Sequence, residues 1–137
     1  MKDVIEMSGR LLLFDKVDKC GRLFSKNCKI IAPKTVPVIL NFDTSESNNV
    51  IGSADIKPDE KGLICDVKLT NFDLNILHTE FKDQLYIGGF YTQVKMHKEN
   101  DISVIDSALL RYIGTTIFPA DDECKIVLKK ENNNDQT

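Results

Sequence analysis

The sequence predicts a mainly β fold with one or two helices, of the α+β class, and three patterns carry that expectation. Leu63, Cys65, Val67 and Leu69 fall on one face of their segment and Asp66 and Lys68 on the other, the period-two signature of a half-buried antiparallel strand. Short apolar runs bounded by polar, Pro- or Gly-bearing turns recur along most of the chain. Helical spacing of apolar residues is clearest in residues 71–82, NFDLNILHTEFK.

Taken in order, residues 10–14 read as a first strand, followed by a polar loop through Gly21 and a strand at 22–25. Residues 36–42 form the next run, introduced by Pro33 and Pro37. Proline offers no N–H to a ladder, so Pro37 puts this strand at a sheet edge or at a strand start. A polar loop, 43–49, leads to a hairpin of strand 50–57, turn Pro58-Asp59-Glu60-Lys61-Gly62, and a strand from Leu63. There proline fixes φ, and Gly62 sits where φ is free to be positive. In the helix at 71–82, Phe72, Ile76, Leu77 and Phe81 share a face, and Asn71 or Asp73 caps the start. Residues 85–96 and 102–118 make a long hairpin across 97–101, and the length of its second arm predicts a bulge or break near Gly114. Residues 125–128 are a final strand. Residues 1–130 are thus one domain, and 131–137 a polar tail with the composition of a disordered segment.

A chain of 137 residues, 42% hydrophobic and 28% charged, is large enough to bury a core without metals or disulfides. Its 18 basic and 21 acidic residues are interspersed, which argues against the concentrated basic face of a nucleic-acid binder. Lys16, Lys19 and Arg22, and likewise Lys125, Lys129 and Lys130, lie beside acids and read as solvated surface. The four cysteines, Cys20, Cys28, Cys65 and Cys124, form no C-x-x-C pair, and with two histidines they give no metal-ligand spacing, so no metal or cofactor is expected. Cys65 reads as a small hydrophobe on its strand. A Cys20–Cys28 disulfide would need an oxidising compartment, and the opening MKDVIEMSGR has no hydrophobic signal region. No apolar run nears the ~20 residues of a membrane span. The expectation is a reducing cytosol, or an assembly built there, with no membrane.

Several short pieces recur in a shared order: Asp18-Lys19-Cys20-Gly21, the run 36–43 ending in Asp43, Ile51-Gly52, Gly62-Leu63, Tyr86-Ile87-Gly88-Gly89-Phe90, and Phe118-Pro119-Ala120. Together they resemble the prohead (capsid maturation) protease family of tailed bacteriophages, distant relatives of the herpesvirus assembly proteases. The resemblance spans roughly residues 8 to 128 and implies an antiparallel β-barrel. It also implies positions for a catalytic triad. The histidine would precede the aspartate, where Phe42 stands; the serine would precede Ile-Gly, where Tyr86 stands; the orienting partner would fall near Tyr112. A serine nucleophile needs a base, and the base an orienting acceptor. Phenylalanine has no proton chemistry, and a tyrosine hydroxyl on a rigid ring does not replace an activated serine. Loss of one such group costs many powers of ten in rate. Positions Phe42, Tyr86 and Tyr112 therefore read as degenerate, and no peptidase activity is expected.

Other residues offer little to rebuild a site. His78 lies beside the apolar stripe of the helix and reads as a half-exposed helix histidine; His97, in a charged turn, reads as solvated. Ser103 and Ser107 flank Asp106, but adjacent strand residues point to opposite faces. Asp55, Asp59 and Glu60 read as solvated acids in and beside a turn. Gly88-Gly89 lies inside a strand, where a bulge or close backbone packing explains it better than a phosphate loop.

The expected function follows from the resemblance and its missing triad: a non-catalytic capsid decoration or auxiliary protein of the phage virion, assembled in the host bacterial cytoplasm. Its partners would be the major capsid protein and other copies of itself, with no direct contact to nucleic acid. The tail and the loops 43–49 and 98–101 are candidate contact elements. The alternatives are a divergent, active maturation protease and a transient assembly scaffold.

Overall fold

The computed structural model describes residues 4–129, so Lys130 and the polar tail at 131–137 lie outside the described residues. The described residues form eight strands and one α-helix: β1 (Ile5–Leu13), β2 (Arg22–Ile31), β3 (Thr35–Ile39), β4 (Val50–Pro58), β5 (Gly62–Leu69), α1 (Leu74–Phe81), β6 (Gln84–Glu99), β7 (Ile102–Thr116) and β8 (Lys125–Leu128). The strands follow the order β2-β7-β3-β4-β5-β1-β8-β6, and β6 pairs back onto β7. That last ladder closes seven of them into a barrel and leaves β2 outside it. The expected mainly β, α+β architecture holds. The pairing is mostly antiparallel, but β2 and β3 run parallel to β7.

The opening hairpin forms as the alternation predicts. Leu63, Cys65, Val67 and Leu69 all point into the core, while Lys68 is exposed. Asp59 holds the turn by accepting the N–H groups of Lys61 and Gly62 on Oδ1, at 3.0 and 2.8 Å. Inward residues of the other strands complete one continuous core, with Met7, Val38, Ile51, Leu110, Ile113 and Ile126 fully buried. Burial of this kind stabilises by about 25 cal/mol per Å² of apolar surface removed from water, which is why the alternation sets the register.

The helix is shorter than residues 71–82. Its cap is Asp73, whose Oδ1 accepts from the Asn75 and Ile76 N–H groups. Leu77 is fully buried, and the rings of Phe72 and Phe81 meet 6.1 Å apart. Lys82 and Asp83 then adopt left-handed φ values of 54° and 66°, which stops the helix.

Several boundaries differ from the sequence reading. The first strand starts at Ile5 rather than residue 10, because Ile5 and Met7 are core residues paired with Leu69 and Val67. The second continues to Ile31 instead of stopping at residue 25; a register break between Phe24 and Lys29 interrupts its alternation and hides its length. The third ends at Ile39, not at Phe42, since Leu40–Phe42 turn into a 3-10 helix. Pro37 pairs opposite Ser53 of β4, and pairing with β7 begins one residue later, at Val38, consistent with an unladdered edge at the proline. The β6–β7 turn shrinks from residues 97–101 to Asn100 and Asp101, both at positive φ as a tight primed hairpin requires. Irregularities fall at Phe90/Tyr91, Thr92/Lys95 and Lys95/Met96, whereas Gly114 itself sits in regular register with Gly88.

The long hairpin gives the molecule two parts. The half of β6 and β7 near the helix belongs to the barrel. The distal half projects as an arm, with β2 added along β7. A small second core of Phe24, Ile105 and Ala108 packs there.

Candidate functional site

Phe42 and Tyr112, two of the three positions that the sequence resemblance assigns to a triad, meet on the outer face of the β6–β7 ladder. Along β6, Leu85 and Ile87 point inward, so Tyr86 and Gly88 face outward; the same alternation on β7 sends Ile113 inward and Tyr112 and Gly114 outward. Gly88 and Gly114 are direct cross-strand partners, as are Phe90 and Tyr112. The 3-10 turn after β3 carries Phe42 over this pair. Asn41 and Phe42 take left-handed φ of 54° and 57°, and the Asn41 N–H donates to the buried Thr115 Oγ1 at 2.9 Å.

The Phe42 ring then lies directly on Gly114. A Cβ at residue 114 would stand 2.3 Å from Phe42 Cγ and 2.4 Å from Cδ1 and Cδ2; one at Gly88 would stand 3.3 Å from Phe42 Cζ. Tyr112 flanks the Phe42 ring at 6.0 Å and stacks on Phe90 at 4.8 Å and 15°. Gly89 serves a second ring on the other face, since a Cβ there would come within 2.7 Å of Tyr91 Cζ and its hydroxyl oxygen. The Gly88-Gly89 pair is therefore close packing against aromatics, as its place inside a strand implied. The seat formed with Gly114 was not legible at the sequence level. Its only signal was a glycine in the middle of each of two long strands.

Tyr86 stands apart, opposite Thr116, and lines two adjoining depressions. Asp43, next to Phe42, accepts the Ser45 N–H on Oδ1 at 2.9 Å; its pKa is lowered first by the Ser45 side chain and second by that backbone bond. It serves the loop, not an imidazole.

The two histidines are engaged elsewhere. His78 pairs with Asp83 beyond the helix end. His97 is not in a turn, as expected, but within β6, where Nδ1 meets Asp106 across the ladder at 2.8 Å and Nε2 meets Glu99 at 2.5 Å. The Asp106 and Glu99 hydrogen bonds raise its pKa, favouring the imidazolium that donates to both. With both nitrogens committed, His97 has none to receive a hydroxyl proton. No serine hydroxyl bonds to either histidine among the described residues, Ser103 and Ser107 included.

The turn acids also find partners. Arg10 grips Asp59 with two parallel bonds of 2.7 and 2.8 Å, correcting the expectation of a solvated Asp59. That guanidinium bond, with the turn N–H groups, holds the Asp59 carboxyl down at about 2. Asp55 accepts from Thr35 Oγ1 at 2.7 Å. The basic cluster is neutralised by neighbours: Lys16 by Asp121 and Glu123, Lys19 by Asp122, and Arg22 by Asp18, while Lys129 meets Asp66. All four cysteines are free thiols, so Cys20 and Cys28 are not bridged. Cys65 and Cys124 are buried, and burial raises each thiol to about 12.

An apolar concavity lies beside the aromatic seat. A groove of about 850 Å³ runs between α1, the 3-10 turn and the ends of β6 and β7; Leu40, Phe72, Ile76, Phe81, Tyr86 and Phe118 are among its walls. Its rim is unusually apolar: Phe118 is 84% and Ile117 66% exposed. No helix among the described residues is long and apolar enough to cross a membrane.

The fold and site define a small closed β-barrel with a projecting three-stranded arm and an aromatic plug. No known protein-family profile matches the chain, and no curated protein sequence is significantly similar to it.

Proposed function

We propose that this protein is a non-catalytic virion component, a capsid decoration or auxiliary protein of a tailed phage built on a prohead-protease-like fold. The phage assignment rests on the sequence resemblance. The observation that favours loss of catalysis is the aromatic plug: Phe42 fills the histidine position and lies on the Gly88–Gly114 pair with Tyr112 at its side. A ring seated on backbone leaves no room there for a base, and the tyrosines have no activating neighbour among the described residues. A binding role is supported by the groove with its exposed Ile117 and Phe118, because contiguous apolar surface on a folded chain marks contact sites. The partners in this reading are the major capsid protein and further copies of the chain, with assembly in the host cytoplasm.

Quantitative mass spectrometry of purified virions tests the proposal. Stoichiometric presence in mature particles is the expected result. Presence in proheads with absence from virions would establish the scaffold reading instead. Incubation with purified capsid precursor is the companion experiment: no cleavage is expected, and cleavage abolished by His78→Ala would establish a working protease.

A further inference from the structure

Beside the groove stands an apolar ridge. Ile117 and Phe118 follow the end of β7 and wall both the groove and the shallower hollow on their far side. The ridge is held out from the body of the chain. The Phe118 N–H donates to Thr116 Oγ1 at 2.9 Å, Pro119 behind it is buried, and the Ala120 carbonyl accepts the Lys19 N–H at 2.8 Å. Anchored on both sides, Phe118 stays 84% exposed instead of turning into the hollow next to it. An apolar knob fixed in water beside an apolar groove marks a contact site.

Residues 130–137, KENNNDQT, hold no apolar side chain to lay over this face, and residues 1–3 hold only Met1. A second copy of the chain does fit it. Knob and groove lie side by side, the arrangement an isologous two-fold contact requires, because each copy's ridge then enters the other's groove. The charges agree with that pairing. Glu80 lines the groove and has no hydrogen bond or ion pair among the described residues. Lys19 flanks the ridge, sharing the outer hollow with Phe118, and its side chain meets only the exposed Asp122 among the described residues. A ridge entering the groove therefore brings a lysine to an unpaired carboxylate, and two-fold symmetry does so twice.

We propose that the chain forms a two-fold dimer through this face, with Phe118 of each copy seated in the groove of the other and Lys19 of one copy facing Glu80 of the other. The dimer rests on the groove being a contact surface, as proposed above, and gives that surface its occupant.

Sedimentation equilibrium of the full chain over a concentration series tests this. A monomer–dimer equilibrium is expected, and Phe118→Asp should weaken it at least about tenfold, as a charge placed at the centre of a contact does. Glu80→Lys and Lys19→Glu should each weaken it, and the double variant should recover most of the loss, the signature of facing residues. All three side chains are exposed, so the variants keep the fold, which urea midpoints verify. A monomer at every concentration up to about 1 mM, a dimer indifferent to Phe118→Asp, or a double variant without rescue overturns the proposal. So does a monomer whose binding to purified empty capsids is lost in Phe118→Asp, which assigns the groove to the shell protein. Presence in virions is read separately, so a monomeric chain found there removes the dimer and leaves the virion role standing.

Discussion

Replacing Gly114 by alanine is the sharpest probe of the aromatic plug. The added Cβ would lie 2.3–2.4 Å from three atoms at the root of the Phe42 ring. Carbon atoms rest 3.5–4.0 Å apart, so the ring has to retreat by more than 1 Å. Its root cannot swing aside cheaply, because Phe42 hangs from a turn with φ fixed at 57° and the preceding N–H tied to Thr115. Overpacking of this kind costs about 1–3 kcal/mol. Phe42→Ala removes a half-buried ring, and about half of the 3–5 kcal/mol of a full burial gives roughly 2 kcal/mol. The decisive measurement is the double-mutant cycle by equilibrium urea unfolding. Without the ring, alanine at 114 meets none of its three nearest obstacles and relieves the entropic penalty of a strand glycine. Gly114→Ala should therefore be destabilising in the wild type and neutral or slightly stabilising in the Phe42→Ala background, a coupling of at least about 1 kcal/mol. An equal loss in both backgrounds would refute the seat.

Two other predictions concern titration and reactivity. Asp59 has a folded pKa of about 2 against a reference of 3.8, so its pairing supports the fold above the reference value and that support is lost as pH falls toward 2. Asp59→Asn should flatten the fall in stability between pH 5 and pH 2, read by urea midpoints across that window; an unchanged slope would remove the Arg10–Asp59 pair as its source. Burial and a pKa raised to about 12 should keep Cys65 and Cys124 unreactive to iodoacetamide at pH 8, while exposed Cys20 labels readily. Peptide mass spectrometry with and without denaturant reads this out, and rapid native labelling of Cys65 would contradict its place in the core.

How much was legible depended on the range of the interaction. The 58–62 turn, the alternation of β5 and the bounds of β8 are local, and each stands where the sequence puts it. Asp73 was one of two caps on offer, and only the bonds to Asn75 and Ile76 select it. β2 was cut short because a strand with a register break and one open edge has no regular alternation to read. His97 was misplaced because the turn was drawn too wide, and that hid its diagonal contact with Asp106, two residues beyond its register partner Val104 on the facing strand. The plug was illegible for a deeper reason. It needs residue 42 to fold back through two left-handed positions onto glycines of β6 and β7, and periodicity carries no information about such a contact. Phe42 and Tyr112 were visible as letters; the seating of the Phe42 ring on Gly114 beside Tyr112 was not.

The barrel's strand order has a kinetic consequence. β1, β5, β4 and β3 pair with one another using only residues up to Leu69, so half of the wall can form as soon as that length of chain is available. Its two outer edges must then wait. β3 remains unpaired along Val38 and Ile39 until Ile113 and Gly114 arrive, and β1 lacks β8 until Ile126. At a synthesis rate of ~5–20 residues per second that interval lasts roughly several seconds, long compared with hairpin formation. Open strand edges are sites of mispairing between chains. The proline at 37 withholds a donor along the β3 edge during this wait. The C-terminal half thus acts as a late closure for a sheet already built, and crowding of nascent chains is the condition under which this fold is most exposed to failure.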